Sequence, residues 1–162
     1  MSGGAAAAGR GRWASLPADL QDRLVGVVLA APSSVVLALS AWLEPAAGGV
    51  GTHKQLGLNG CAVLTATGWP CPMCGMTTTF AHMAHLSPVD AALTQPFGVV
   101  LFLLTVAFAS VGWADVLLPA GRWRRLRDGA LAREVPLAVA ALVGMGLGWA
   151  YKAAVMRGGL PW

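Results

Sequence analysis

Charged residues are scarce in this chain of 162 residues: Asp, Glu, Lys and Arg make up 11% of it, against roughly 25% in soluble globular domains. Hydrophobic residues account for 56%, so the chain lacks the polar side chains needed to cover its own surface in water. This composition excludes an ordinary soluble domain and indicates that lipid is the solvent. The formal net charge of +4 is too small and too dispersed for a nucleic-acid-binding surface.

Three long apolar runs contain most of the hydrophobic residues. Each meets the length of about 20 residues that a helix needs to cross the bilayer core, which predicts transmembrane helices over residues 24–43, 97–118 and 136–156. The first run is longer than the roughly 7–15 apolar residues of a secretory signal, and no A-x-A cleavage site follows it. We expect a disordered cytoplasmic tail over residues 1–22 and a single membrane domain over residues 23–162.

Basic residues are unevenly distributed among the segments that flank these runs. Residues 1–23 carry three Lys or Arg and residues 119–134 carry five, whereas the connection 44–96 carries only Lys54. Because basic flanks stay in the cytoplasm, the amino terminus and the loop 119–134 are predicted to be cytoplasmic and the connection to lie outside. The abundance of Ala, Gly and Arg is typical of a GC-rich bacterial genome, so the expected location is a bacterial cytoplasmic (inner) membrane.

The connection contains the stretch WPCPMCGMTTTF, residues 69–80, which is unlike ordinary membrane sequence. Proline is favoured at the first position of a helix, where its missing N–H costs nothing. Pro72 therefore predicts a short helix that has Cys71 as its N-cap and ends near Leu86. Segment 60–86 fits either an interfacial position or a re-entrant hairpin buried in protein.

A second short helix is predicted to follow, from the N-cap residue Ser87 to the break at Pro96. The expected fold is therefore an all-α integral membrane protein. It has three transmembrane helices plus two short interfacial helices that carry a CPxCG motif.

The two motif cysteines fit thiol–disulfide chemistry. A thiol at a helix N-terminus has a lowered pKa and a nucleophilic thiolate, which predicts Cys71 as the attacking thiol and Cys74 as the resolving thiol of an oxidoreductase. Membrane oxidoreductases usually need a second cysteine pair, and Cys61 is the only other cysteine. A static disulfide among these three residues is the structural form of the same interpretation.

The motif cysteines also fit a metal site. His82 and His85 follow them in a C-x2-C-x7-H-x2-H pattern, which supplies the donors of a zinc ion or, with nearby methionines, a copper ion. Along a continuous helix, Cys74 and His82 would lie about 12 Å apart, so one ion reaches all four residues only if the helix breaks or a second subunit contributes. Cys71 and Cys74 are thus the candidate ligands, and His82 and His85 form a separate half-site.

Small and charged residues mark the second and third spans. Gly144 and Gly148 form a small-xxx-small pair that permits close helix approach in lipid. Asp115 and Lys152 lie near opposite faces of the membrane, where a side chain close to a helix end can snorkel to the interface. Lys152 is on the side of the cysteines and is a candidate for lowering a thiol pKa.

The segment from Asn59 to Gly98 resembles the bacterial membrane proteins grouped as domain of unknown function family 2752. The likeness rests on a TG-x-PCP-x-CG-x-T core, an acidic residue before AA, and a proline that opens a transmembrane helix. The matching positions are Thr67, Gly68, Pro70, Cys71, Pro72, Cys74, Gly75, Thr77, Asp90, Ala91, Ala92 and Pro96. Thr78 departs from the family, since many members carry Arg there. The resemblance implies a small polytopic membrane protein and no agreed activity.

These patterns favour a binding or structural module over an enzyme. The expected protein has an outward-facing CPMCG site that fixes a turn or holds a zinc or copper ion. It lies in a lipid bilayer, either as an accessory subunit of a membrane protein partner or as a homo-oligomer. The alternative is a membrane thiol–disulfide oxidoreductase that uses Cys71 and Cys74.

Overall fold

The computed structural model describes residues 15–158, and most of the predicted tail lies outside these residues. Within the described range every regular element is a helix and no strand is present, which confirms the predicted all-helical class. The elements are α1 (Ala18–Trp42), a 3₁₀-helix (Thr52–Leu56), α2 (Ala62–Thr67), α3 (Met76–Ala84), α4 (Pro88–Thr94), α5 (Pro96–Leu117), α6 (Arg122–Leu131) and α7 (Glu134–Gly158).

Three of the described helices, α1, α5 and α7, are long and apolar enough to cross a membrane. They coincide with the three predicted spans, and the largest difference is at α1, which begins at Ala18 rather than at residue 24. Many of their apolar side chains are exposed on the protein surface, as Val28 at 70% and Leu142 at 64% show. Such exposure is expected where lipid, rather than protein, covers the helix.

The connection between α1 and α5 contains the two predicted short helices and a third. Helix α4 has Ser87 as its N-cap and a proline at its start, as predicted. Helix α2 is additional and precedes the cysteine motif. Helix α3 begins only at Met76, later than predicted, and the reason for this difference lies in the cysteine motif itself.

Helices α1 and α5 pack backbone to backbone and make the most extensive helix–helix contact among the described elements. A Cβ atom at Gly26 would lie 2.7 Å from the carbonyl oxygen of Gly112, and one at Gly112 would lie 2.7 Å from the backbone nitrogen of Ala30. In lipid, small residues permit the close approach on which van der Waals attraction between helices depends. The sequence patterns had not singled out this pair of glycines.

The predicted glycine pair on α7 faces the start of α5. A Cβ atom at Gly144 would lie 2.9 Å from the ring of Phe97, and one at Gly148 would lie 3.0 Å from the Cβ of the same residue. The two glycines therefore leave the space that Phe97 occupies, which fits the packing role that their spacing predicts.

Buried carboxylates attach α6 to the ends of α1 and α5. Asp115 is fully buried, and its carboxylate accepts hydrogen bonds from the backbone N–H groups of Arg122 (3.3 Å) and Trp123 (2.9 Å). Asp22 accepts two hydrogen bonds, of 2.8 and 2.7 Å, from the guanidinium of Arg124. The prediction that Asp115 snorkels is wrong, because the free N–H groups at the start of α6 attract its carboxylate instead.

Candidate metal centre

Three cysteine sulfurs lie together in the connection between α1 and α5. The Sγ atoms of Cys61, Cys71 and Cys74 are all within 4.8 Å of one another, and those of Cys71 and Cys74 are 3.4 Å apart. We call these residues the cysteine cluster; all three are free thiols. Thiolates bound to one tetrahedral ion at about 2.3 Å lie about 3.8 Å from one another. The cluster is therefore close to the spacing that one ion requires.

Cys71 and Cys74 lie on a tight turn, residues 71–75, which we call the cysteine turn. The N–H of Cys74 donates to the carbonyl of Cys71 (2.9 Å), and the N–H of Cys71 donates to the sulfur of Cys74 (3.2 Å). The prediction of a helix with Cys71 as its N-cap is wrong: Gly75 is the N-cap of α3 and has a φ of 89°. This left-handed conformation, which glycine adopts readily, separates the cysteines from the helix.

The cysteine at a helix start is instead Cys61, the N-cap residue of α2. Hydrogen bonding from the backbone of Leu64, and then from the thiol of Cys71, lowers the pKa of Cys61 to about 7. Donors directed at a sulfur stabilise the thiolate relative to the thiol. Cys61 is therefore readily converted to a metal-binding thiolate near neutral pH.

Burial has the opposite effect on the pKa of Cys74, which is only 6% exposed. Loss of hydration raises the pKa of Cys74 to about 12, and the neighbouring thiol of Cys71 contributes in the same direction. Cys74 is thus protonated at neutral pH when the cluster holds no cation. A bound metal ion reverses this preference, because a coordinating thiol is deprotonated.

A buried lysine lies beside the cysteine turn. Lys152 of α7 is fully buried, and its Nζ donates a hydrogen bond of 3.1 Å to the carbonyl of Gly49. The same Nζ is 3.3 Å from the point where a Cβ atom at Gly75 would stand, and its charge interacts with Cys74. The prediction that Lys152 snorkels is wrong, since the ammonium is enclosed by protein. A buried ammonium favours an anionic neighbour, and thiolates supply one.

The carboxyl-terminal part of α7 also holds the residues just before the cysteine turn. The indole Nε1 of Trp149 donates a hydrogen bond of 2.8 Å to the carbonyl of Pro70, which is fully buried. The guanidinium carbon of Arg157 lies 3.4 Å from the ring centroid of Trp69, a cation–π contact. Helix α7 therefore positions the cluster although it contributes no cysteine.

Other positions of the predicted motif shape the same segment. Gly68 ends α2 with a φ of 70°, and the carbonyl of Pro72 accepts a hydrogen bond of 3.3 Å from the side chain of Gln95. Pro96 occupies the first turn of α5, as predicted. Thr77 lines the cavity beside the cysteines. Gly68, Pro72 and Pro96 thus shape the backbone on either side of the cluster, and Thr77 contributes to the cavity wall.

His82 and His85 lie apart from the cysteine cluster. Among the described residues, the group of close potential ligands comprises the three cysteines alone. His82 lines a separate cavity of about 230 Å³, together with Asp90, and His85 is an exposed residue at the end of α3. The structure therefore does not bring these two histidines to the sulfurs.

A different histidine shares a cavity with the sulfurs. The cavity has a volume of about 280 Å³, and its wall includes all three cysteines and His53 of the 3₁₀-helix. The neighbouring Thr52 is fully buried, and its Oγ1 lies 2.8 Å from the Oγ1 of Thr78 on α3. This contact attaches the 3₁₀-helix beside the cysteine turn. The sequence patterns missed His53, although its position eight residues before Cys61 is a signal that a search upstream of the cysteines would have found.

Residues 61–109 match the model of a family described as protein of unknown function (DUF2752). The match begins at Cys61, contains the whole cysteine turn and extends into α5. It confirms the predicted resemblance to this family. Comparisons with curated proteins and with solved structures give no match.

Proposed function

We propose that this protein is a multi-pass membrane protein that binds one thiophilic metal ion through Cys61, Cys71 and Cys74. All three cysteines lie within residues 61–109, which match the family of unknown function. The observation that carries the proposal is the approach of the three sulfurs to within 4.8 Å of one another. Zinc(II) and copper(I) are the ions that prefer thiolate ligands. Lys152 offsets part of the negative charge that three thiolates bring to the cavity.

The proposed role of the ion is to hold the connection between α1 and α5 in one conformation. Cys61 lies at the start of α2, whereas Cys71 and Cys74 lie on the turn before α3. One ion bound to all three joins these two segments, and its binding free energy adds to the stability of the folded state. A centre of this kind is a structural module rather than an enzyme.

We place this centre on the outer side of a bacterial cytoplasmic membrane. The support is the distribution of charge: α6 and its flanks carry five of the eleven basic residues, and α6 is attached to the start of α1 and the end of α5. Basic loops stay in the cytoplasm, which leaves the cysteine cluster at the opposite face. Membrane-impermeant maleimide, added to intact cells after chelation, labels the cysteines if this orientation is right and fails to label them if it is inverted.

Metal content tests the proposed function directly. The full-length protein, purified in detergent, is expected to retain one zinc or copper ion per chain. Each of the variants Cys61→Ser, Cys71→Ser and Cys74→Ser is expected to lose it. His85→Ala serves as the control, because His85 is exposed and lies outside the cluster. Retention of the ion by all three serine variants would refute the proposal.

A thiol–disulfide oxidoreductase is the second candidate, because the sulfurs of Cys71 and Cys74 are only 3.4 Å apart. In this reaction the two thiols form one S–S bond and release two electrons and two protons. The acceptor is an external disulfide, which is reduced to two thiols. Maleimide tagging decides between the candidates: thiols exposed only by a reductant support the disulfide, and thiols exposed only by a chelator support the metal.

A further inference from the structure

We propose that His53 is the fourth ligand of the cysteine cluster, bound through its Nδ1 atom, and that the centre is a tetrahedral Cys₃His zinc site. This inference rests on the metal-binding function proposed above and adds to it the last ligand and the identity of the metal. Structural zinc sites in proteins are closed by four ligands, and three cysteines with one histidine form a common set. Three sulfurs alone leave one position of the tetrahedron open.

The imidazole of His53 is oriented by a hydrogen bond at its far nitrogen. Its Nε2 lies 3.1 Å from the carbonyl oxygen of Asn59, and a carbonyl oxygen only accepts hydrogen bonds. Nε2 therefore carries the ring proton, and the lone pair of the neutral ring is on Nδ1. Histidines that bind metal ions almost always donate their other N–H to a carbonyl or carboxylate in this way.

His53 is the best remaining zinc donor among the described side chains that line the cavity. Lys54 has no lone pair while it is protonated, and the threonine hydroxyls there are weak ligands. The thioether of Met73 is a soft donor that suits copper(I), and this residue is 55% exposed. A nitrogen donor with three thiolates in tetrahedral geometry is typical of zinc.

The backbone around His53 permits the approach that coordination requires. His53 does not belong to the group of ligand atoms within 4.8 Å of one another, so metal binding has to draw the 3₁₀-helix toward the sulfurs. That helix is flanked by Gly51 and Gly57, with φ angles of 94° and 74°, and glycine accepts changes of backbone conformation at low cost. The contact between Thr52 and Thr78 keeps the helix next to the cysteine turn during this movement.

The decisive variant is His53→Gln in the full-length protein. The glutamine amide keeps a donor for the carbonyl of Asn59 but has no imidazole lone pair. We expect its zinc affinity, measured by competition with a chromogenic chelator, to fall by roughly 10–100-fold or more. Loss of a residue that only supports a metal ligand already lowers affinity by that factor. With cobalt(II) in place of zinc, the d–d bands should lose intensity while the thiolate-to-metal charge transfer persists.

Two control variants define the other outcomes. His85→Gln should leave affinity and spectrum unchanged, and His53→Cys should restore tight binding with stronger thiolate charge transfer, because it supplies a fourth sulfur. Loss of a ligand should lower the zinc affinity far more than twofold. If the zinc affinity of His53→Gln is within about twofold of that of the unsubstituted protein, the fourth-ligand proposal is wrong. A loss of zinc affinity in Met73→Leu instead would assign the fourth position to the thioether of Met73 and overturn the proposal. In both cases the proposed metal-binding function is tested separately, by whether metal binding requires the three cysteines.

Discussion

The indole Nε1 of Trp149 donates a hydrogen bond of 2.8 Å to the carbonyl oxygen of Pro70, which lies 79 residues earlier in the chain. This bond joins α7, a helix long and apolar enough to cross a membrane, to the residue that precedes Cys71. Pro70 is fully buried, and a buried carbonyl that loses its donor keeps the whole cost of its lost hydration. The position of the cysteine turn therefore depends on a helix that contributes no ligand to the cluster.

Trp149→Phe keeps the aromatic ring but removes the donor to Pro70. We expect the free energy of unfolding to fall by about 1–3 kcal/mol, the cost of an unsatisfied buried acceptor. Cys74, which is buried on the turn that follows Pro70, should react faster with maleimide in the metal-free protein. Thermal unfolding in detergent and the rate of thiol labelling measure the two effects.

The control for this prediction is Trp42→Phe. Trp42 lies at the end of α1 and is 67% exposed, so its substitution should change neither stability nor the labelling of Cys74. Equal effects of the two substitutions would mean that the aromatic residues act through the detergent or lipid interface, and the role assigned to the Trp149 bond would be wrong.

Gly75→Ala should destabilise the cysteine turn for two separate reasons. The φ of 89° at Gly75 is unfavourable for alanine, at a cost of about 1–2 kcal/mol. In addition, the new Cβ atom would lie 3.0 Å from the carbonyl oxygen of Gly49 and 3.3 Å from the Nζ of Lys152. Chemical or thermal unfolding should show a loss larger than the conformational cost alone, together with weaker zinc binding.

Gly57→Ala isolates the conformational cost. Gly57 has a φ of 74°, and a Cβ atom built there meets no heavy atom within 4 Å. It should lose only the conformational part of the stability. If the two variants are equally unstable, crowding by Gly49 and Lys152 does not contribute at Gly75.

The membrane-spanning helices were predictable because the requirement behind them is local. A span needs a long run without charge, and such a run is visible residue by residue. The start of α4 was predictable for a similar reason, since Ser87 and Pro88 carry their N-terminal preferences wherever they occur. The start of α3 was not predictable in this way. Pro72 has the same N-terminal preference, but Gly75 adopts a positive φ, and the presence of a glycine in the sequence does not reveal its conformation.

The candidate site was only partly predictable because its members come from separate segments. The spacing of Cys71 and Cys74 identified two candidate ligands, but Cys61 joins them because the fold places the N-cap of α2 beside the cysteine turn. His53 reaches the cavity because Thr52 contacts Thr78 on α3. These are tertiary contacts, which leave no periodic pattern in the sequence. Downstream histidines with familiar zinc-finger spacing consequently looked like better candidates than an upstream histidine in a glycine-rich loop.

Lys152→Met should make the thiols of the cluster harder to ionise. Methionine has similar length but no charge, so the ammonium beside Cys74 is lost, and a positive neighbour favours the thiolate. We expect the pH midpoint of maleimide labelling to rise and the zinc affinity to fall. The Gly49 carbonyl also loses its donor, so thermal unfolding should be recorded to confirm that the variant is folded.

Lys54→Met is the matched control for this charge. Lys54 lines the same cavity but is an exposed residue, and solvent screens exposed charges. Its substitution should shift the labelling midpoint less than Lys152→Met does. Identical midpoints in Lys152→Met and the unsubstituted protein would rule out an electrostatic role for the buried lysine.

Zinc affinity should decrease as the pH falls, and the two perturbed thiols set a minimum for the slope. Cys74, with a pKa raised to about 12, is protonated throughout the neutral range and must release its proton to bind the ion. Cys61, with a pKa lowered to about 7, is a thiolate above that pH. Below that pH it is protonated, so metal binding must then release a second proton. The affinity should therefore fall at least about tenfold per pH unit above pH 7 and at least about 100-fold per unit well below it. Competition titrations on both sides of the Cys61 pKa measure these slopes, and an affinity independent of pH would exclude thiolate coordination at Cys74.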